Sequence, residues 1–420
     1  MRQCLCAVGF ILWWLCALPA AALDSRGIYQ QNQDRVFQVR VLNRETGKKS
    51  SIGSGFIVGD GSRLATNYHV ISQVVAEPER FYITYISSDG EEGELSLLVM
   101  DVAHDLALLG AQQTLGTPIE MSELPPRGAT IFAMGNPLDL GLTIAVGTNG
   151  GILNQTDDSR ILFSGSLNPG MSGGPTFNEF GAAIGINVAT ARNDISFIVP
   201  SRFLSDLIAK ADAGRYDAAT DLKAEVAKQV LSYENNYIEQ LLAGDWPTLE
   251  LRQFRLPEAI SPTVRCWDNS AKLNAVARYR RFQVRCSNQN HVYLDEDNHF
   301  VGRLVYEYYW LESEELNALQ FYNLYESLNK DQIDSKPGRD IVTNFNCETW
   351  FIDVSSQKFK ANLCRREYRE YPGMSDLLFT AALTGHADKG FFITLTLTGV
   401  EFDSALPLLR KFLEATEWTP

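Results

Sequence analysis

The sequence predicts an all-β double barrel through its first half, then a helical connector, then an α+β region with an internal duplication. Three observations predict this. Short β-rich runs recur from about Val36 to Pro200, separated by glycine-rich or polar turns. Helical spacing of apolar residues takes over after Pro200. Beyond Trp246, a pattern of strands carrying cysteines occurs twice.

The chain has 420 residues, too many for one ordinary core and enough for two or three domains. The spans expected are a targeting segment at 1–22, the double barrel at 23–205, the connector at 206–245 and the duplicated region at 246–420. A hydrophobic fraction of 45% and a charged fraction of 21% are those of a globular protein. A net charge of −14 argues against a nucleic-acid footprint and against charge-driven binding to anionic lipid.

The first residues, "MRQCLCAVGFILWWLCALPAAALDSR", read as an export signal. One arginine precedes an apolar run from Val8 to Leu18, and small residues at 20–22 offer a cleavage site after Ala22. The run is short for a bilayer span. An uncleaved anchor or a lipid-modified Cys16 are the alternatives. With the signal removed, no integral membrane segment is expected, and the location expected is periplasmic or secreted.

The β-rich runs include "VFQVRVL", "GSGFIVG", "FYITYI", "GELSLLVM", "ATIFAMG", "LTIAVG", "RILFSG", "GAAIGINVAT" and "SFIVP". Many short strands of this kind suit a sandwich or barrel, and the length suits two small barrels. "SRFLSDLIAKADAG" then reads as a helix ending near Gly214. The next stretch spaces Leu222, Val226, Val230, Ile238, Leu241 and Leu242 as a helix would, with Gly244 as its stop.

The duplicated region reads as strand with cysteine, strand with cysteine, a further strand and a helix. The first unit holds "VRCWDN", "RRFQVRC" and "VGRLVYEYYWL"; the second holds "NFNCETWFIDV", "KFKANLC" and "GFFITLTLTGV". Of seven cysteines, Cys4, Cys6 and Cys16 lie in the signal. The remaining Cys266, Cys286, Cys347 and Cys364 allow three pairings. Neighbours in sequence, Cys266–Cys286 and Cys347–Cys364, are the pairing expected in an oxidising compartment, with free thiols as the alternative. No CxxC spacing occurs, so no metal cluster is expected.

The chemistry centres on "NPGMSGGP", residues 168–175. A serine hydroxyl needs a base, a group that orients the base, and donors for a developing oxyanion. Ser172 is the candidate nucleophile. His69 in "LATNYHVI" is the candidate base. Asp105 in "DVAHDLALL", entering an apolar run, is the candidate orienter. The backbone amides of Gly170 and Ser172, with Met171 between them, are the candidate oxyanion donors. Gly170 can turn its N–H inward at little steric cost. Such a triad needs no cofactor, and none is expected.

The order His, Asp, Ser along the chain is that of the chymotrypsin type. With "GSGFIV" (53–58), "TNYHVI" (66–71), "DLALL" (105–109), "GNP" (135–137), "SLNPGMSGGP" (166–175) and "GINVAT" (185–190), residues 30–205 resemble the trypsin-like serine proteases of the bacterial HtrA (Deg) type. The resemblance implies a chymotrypsin-like double barrel with its site between the barrels. It also implies peptide-bond hydrolysis through an acyl-enzyme, and work on envelope protein quality control or processing. By the same resemblance Ser166, Leu167, Asn187 and Val188 line the primary pocket. No acidic residue stands in "SGSLNPGM", so a small or medium apolar side chain is expected before the cut. Two departures stand out. Met171 replaces the asparagine the family usually carries, and no PDZ-type carboxylate loop is seen.

Three further features have plain readings. His104, in a strand, would face away from Asp105 and act as a bystander. "HVYLDEDNHF" (291–300) fits an exposed turn better than a metal loop. "YEYYWL" (306–311) fits a core strand, with a peptide groove as the alternative. The function expected is an exported serine endopeptidase acting on polypeptides, with region 246–420 regulating it, recruiting substrate or docking a protein partner. A protease-fold binding or chaperone-like protein with little turnover is the alternative.

Overall fold

The computed structural model describes residues 22–153, 159–188, 196–270, 278–288, 292–295, 299–313, 315–328, 338 and 340–419. The expected export signal therefore lies outside the described residues, apart from Ala22. Helix α1 (Ser25–Asn32) leads into strands β1 (Val36–Asn43), β2 (Lys49–Val58) and β3 (Arg63–Thr66). Helix α2 (Tyr68–Ala76) follows, then β4 (Phe81–Ile86), β5 (Glu92–Asp101) and β6 (Leu106–Ala111). These six strands close in the order β1-β2-β3-β6-β5-β4. A second barrel closes in the order β10-β11-β12-β9-β8-β7 from β7 (Thr130–Gly135), β8 (Thr143–Ile152), β9 (Ile161–Phe163), β10 (Pro175–Phe177), β11 (Ala183–Val188) and β12 (Ser196–Pro200).

The two-residue alternation of each strand decides where the cores lie. In β1, Phe37, Val39 and Val41 fill the first barrel with Ile57, Leu64, Ile83 and Tyr85. In β7, Ile131 and Ala133 fill the second barrel with Phe163, Ile184 and Ile198. The alternate residues make the seam: Phe56 and Val58 from the first barrel meet Phe132, Met134 and Phe177 from the second. Ile28 of α1 and Leu204 and Leu207 of α3 (Ser201–Ala213) close the same cluster. The double barrel expected from the sequence is thus held by a third, shared core. The helices α1 and α2 are the difference: the run after "LAT" is helical, because Tyr68, Val70, Ile71 and Val75 bury one face in the first barrel.

Helix α4 (Leu222–Ala243) works as a spar between two cores. Val226, Ala227 and Val230 enter the first barrel's cluster, whereas Tyr237, Ile238 and Leu241 enter that of the C-terminal sheet. That region comprises β13 (Thr248–Leu251), β14 (Phe254–Pro257), β15 (Val264–Asp268), β16 (Tyr279–Asn288), β17 (Val292–Asp295), β18 (His299–Val301), β19 (Leu304–Ser313) and α5 (Ala318–Leu328). It continues with β20 (Asn346–Val354), β21 (Gln357–Glu367), β22 (Ser375–Leu383), β23 (Lys389–Val400), α6 (Phe402–Glu414) and β24 (Glu417–Trp418). A seven-stranded antiparallel sheet runs β15-β16-β19-β23-β22-β21-β20, beside a small sheet β13-β14-β24 and the hairpin β17-β18.

The disulfides Cys266–Cys286 and Cys347–Cys364 each join residues directly opposite in paired strands, β15 with β16 and β20 with β21. The two units differ more than their sequence pattern suggests. In the first, β16 pairs directly with β19; in the second, β22 stands between β21 and β23. Strand β22 is buried along its whole length, so it lacks the alternation that would have announced it. The helices also cover opposite faces. Trp310, Ala381 and Phe391 face α6, while their neighbours Leu311, Ala382 and Phe392 face α5 through Phe321. The aromatic run at 306–311 is core strand. Among the described residues no helix is long and apolar enough to cross a membrane.

Candidate active site

His69 sits in the first turn of α2, which starts where β3 ends against β6. Asp105 is not in a strand. It occupies the turn between β5 and β6 with φ +59°, a left-handed conformation that aspartate tolerates better than most residues. There both carboxylate oxygens reach His69. Oδ1 accepts from the His69 backbone N–H at 2.9 Å and Oδ2 lies 2.7 Å from Nδ1. A carboxylate at neutral pH only accepts, so Nδ1 carries the proton and Nε2 is left as the basic nitrogen. Asn67 Nδ2 donates to the Asp105 carbonyl at 2.8 Å, fixing the turn. Asp105 is 5% exposed, and the His69 side chain 24%.

Ser172 comes to this corner through backbone packing. The Ser54 N–H of β2 donates to the Ser172 carbonyl at 2.7 Å. A Cβ on Gly53 would meet both Val70 γ carbons, at 2.6 Å, and the Ser172 carbonyl, at 3.1 Å. Val70 follows His69, so the backbone of Ser172 and the start of the His69 helix flank the same glycine. Gly173 has φ +84°, and a Cβ there would lie 2.2 Å from the Ser54 carbonyl, 2.3 Å from Thr66 Oγ1 and 3.0 Å from Asn67 N. Only glycine lets the serine loop press this closely on the segment leading into His69.

Gly170 has φ +95°, and a Cβ there would overlap the Asn136 carbonyl at 2.4 Å. Among the described residues no acceptor takes its N–H, and its carbonyl accepts from Ser54 Oγ at 2.8 Å. Ser54 Oγ also accepts from Asn136 N–H at 2.8 Å. Leu138 and Asp139, both with positive φ, hold the facing turn, and Leu138 N–H donates to the Pro169 carbonyl at 2.9 Å. Met171, grouped with Gly170 and Ser172 in the expected donor set, behaves differently. Its N–H donates to the Asn168 carbonyl at 3.0 Å, and its side chain fills the second barrel.

The residues expected to line the primary pocket differ in exposure. Of Ser166, Leu167, Asn187 and Val188, only Ser166 is exposed. Asn187 is fully buried and structural. Its Nδ2 donates to the carbonyls of Met134 (2.8 Å) and Met171 (3.3 Å), and Thr176 donates to its Oδ1. Leu167 and Val188 belong to core clusters. The polar inward position on β11 braces the serine loop. The rest of "GINVAT", residues 189–190, is outside the described residues. His104 lies in the β5–β6 turn rather than a strand. Its Nδ1 is 2.7 Å from Asp101 Oδ2 and its ring stacks on Phe203, so it takes no part in the corner. Part of "HVYLDEDNHF", His291 and residues 296–298, is outside the described residues.

Two features were not readable beforehand. Ser54 lies in a quoted motif, but its bridging role depends on Asn136 and Gly170, distant in sequence. Tyr293 of β17 places its ring 5.6 Å from the His69 imidazole centroid at 63°. No local signal announces that contact.

Residues 53–186 match the family of the trypsin-like peptidase domain. Human serine protease HTRA3 is 30% identical over 172 residues, covering 37% of this chain and 38% of that protein. The probable periplasmic serine endoprotease DegP-like of Rhizobium meliloti (strain 1021) is 31% identical over 168 residues, covering 37% of this chain and 32% of that protein. A solved serine endoprotease from Yersinia pestis aligns at 26% identity and TM-score 0.39, over 46% of this chain and 67% of that one. The chain thus spans about a third of the length of these curated relatives. The first half of this chain is similar to the trypsin-like peptidase domain and to serine proteases of the HtrA type.

Proposed function

We propose that this chain is an exported serine endopeptidase that cuts polypeptides with Ser172, His69 and Asp105. The observation that carries the reading is the double hold of Asp105 on His69, next to the segment on which Gly173 presses. His69 Nε2 takes the Ser172 hydroxyl proton as the oxygen attacks the scissile carbonyl. The imidazolium formed is stabilised by the Asp105 carboxylate. The N–H groups of Gly170 and Ser172 receive the oxyanion. The imidazolium then protonates the leaving amine, and water cleaves the acyl-serine by the same route in reverse.

The covalent ties at Cys266–Cys286 and Cys347–Cys364 favour an oxidising compartment, periplasmic or extracellular. The C-terminal region shares a continuous core with the first barrel, which favours a direct effect on the cleft over a tethered recruitment module. The test is digestion of a reduced, unfolded polypeptide by the purified protein, with the cut sites mapped by mass spectrometry. Wild-type protein should cut after small or medium apolar residues, and the His69→Ala and Ser172→Ala variants should not. Equal digestion by a variant, or none by the wild type, would overturn the reading.

A further inference from the structure

The hairpin β17-β18 belongs by sequence to the C-terminal region, yet it is built into the wall beside His69. Val292, Leu294 and Val301 are each at most 3% exposed and lie in the first barrel's core cluster with Tyr68, Val70 and Ile71. Burying each such aliphatic side chain holds the hairpin down. The Tyr68 hydroxyl donates to the Leu294 carbonyl at 3.0 Å, locking the register of β17 against the first turn of α2. Strand alternation then turns Tyr293, between the two buried residues, the other way. Its ring packs edge-to-face on His69 (5.6 Å, 63°), Tyr68 (6.5 Å, 75°) and Phe300 (5.6 Å, 77°).

We propose that Tyr293 is a positioning residue for His69, so that the C-terminal region completes the active site. The proposal rests on the reading of His69 and Ser172 as base and nucleophile. Asp105 holds the imidazole through one ring nitrogen and the backbone. Tyr293 supplies a second, apolar contact that limits ring rotation. The contact is made by the ring, so phenylalanine should serve and alanine should not. A small misplacement of a catalytic base is costly in rate.

The test uses the full chain with Tyr293→Phe and Tyr293→Ala. Two quantities are read: the rate of labelling by a fluorophosphonate probe, and the NMR signal of His69 Cε1–H in ¹³C-histidine protein. Tyr293→Ala should label about tenfold more slowly and move the His69 signal. Tyr293→Phe should label within about twofold of wild type and leave the signal nearly in place. Labelling of the alanine variant at or above the wild-type rate would overturn the proposal, the faster rate marking Tyr293 as an obstruction. Phenylalanine as slow as alanine would overturn it too. If no form labels, the catalytic reading has failed. The His69 signal then decides the contact alone: movement in alanine but not phenylalanine upholds it, and no movement overturns it.

Discussion

Asp105 binds His69 twice, once at the ring nitrogen and once at the backbone N–H, so a single carboxylate fixes both the side chain and the start of α2. Asp105→Asn keeps the shape but puts a donor where an acceptor is needed. It should leave the unfolding transition nearly unmoved and lower the rate of fluorophosphonate labelling by about three orders of magnitude. A rate within a factor of about ten of wild type would show that the tautomer is set by something else.

Ser54 links three parts of the site through one hydroxyl: it donates to the Gly170 carbonyl and accepts from Asn136 N–H. Ser54→Ala leaves both groups buried and unpaired. A loss of about 1–3 kcal/mol is expected in denaturant titration. Labelling should slow by about tenfold, because the Gly170 turn loses its tether. A stability change without a rate change would separate Ser54 from the oxyanion donors.

These two residues show what the sequence could carry. His69, Asp105 and Ser172 stood out as candidates because each lies in a short contiguous motif, in the order His, Asp, Ser; the structure adds the contact between Asp105 and His69. The barrel strands were legible through alternation and turn residues. The hydrogen bonds by which Asn187 braces the serine loop were not legible, because a polar residue on a buried strand looks alike whether it meets a ligand or braces a loop. Strand β22 escaped because burial on both faces erases alternation. The contact of Tyr68 with Leu294 spans 226 positions, and neither residue carries a local mark of it.

The turn facing Gly170 carries a pH dependence. The Lys49 ammonium and then the Gln38 amide, both on the first barrel, donate to Asp139 and hold its carboxyl below the ordinary aspartate value of 3.8. A depressed carboxyl stabilises the fold above its unfolded value, and that contribution fades as pH falls through the lower folded value. Asp139 should therefore titrate with a midpoint below 3.8 in a ¹³C-carboxyl titration. Lys49→Met should move its midpoint upward. An unmoved midpoint would mean that the inter-barrel tie does not act on Asp139.

In the C-terminal sheet, Asp376 is fully buried opposite Arg366. It accepts from the Arg366 Nε at 2.6 Å, the Tyr368 hydroxyl at 3.0 Å and the Gly399 N–H at 3.1 Å. Asp376→Ala takes the carboxylate away from the buried Arg366 guanidinium and should cost about 3–5 kcal/mol. The paired change Arg366→Met with Asp376→Leu should recover most of that loss in chemical denaturation. Equal losses in the single and double variants would show that packing volume, not charge, dominates there.

The central claim is that Ser172 is an activated nucleophile, and one measurement reaches it directly. Purified wild-type chain and Ser172→Ala are treated side by side with a fluorophosphonate serine-hydrolase probe, and the labelled residue is identified by mass spectrometry. The account predicts a single adduct on Ser172 in the wild type and none in the variant. An unlabelled wild type, or equal labelling of the variant, would contradict it.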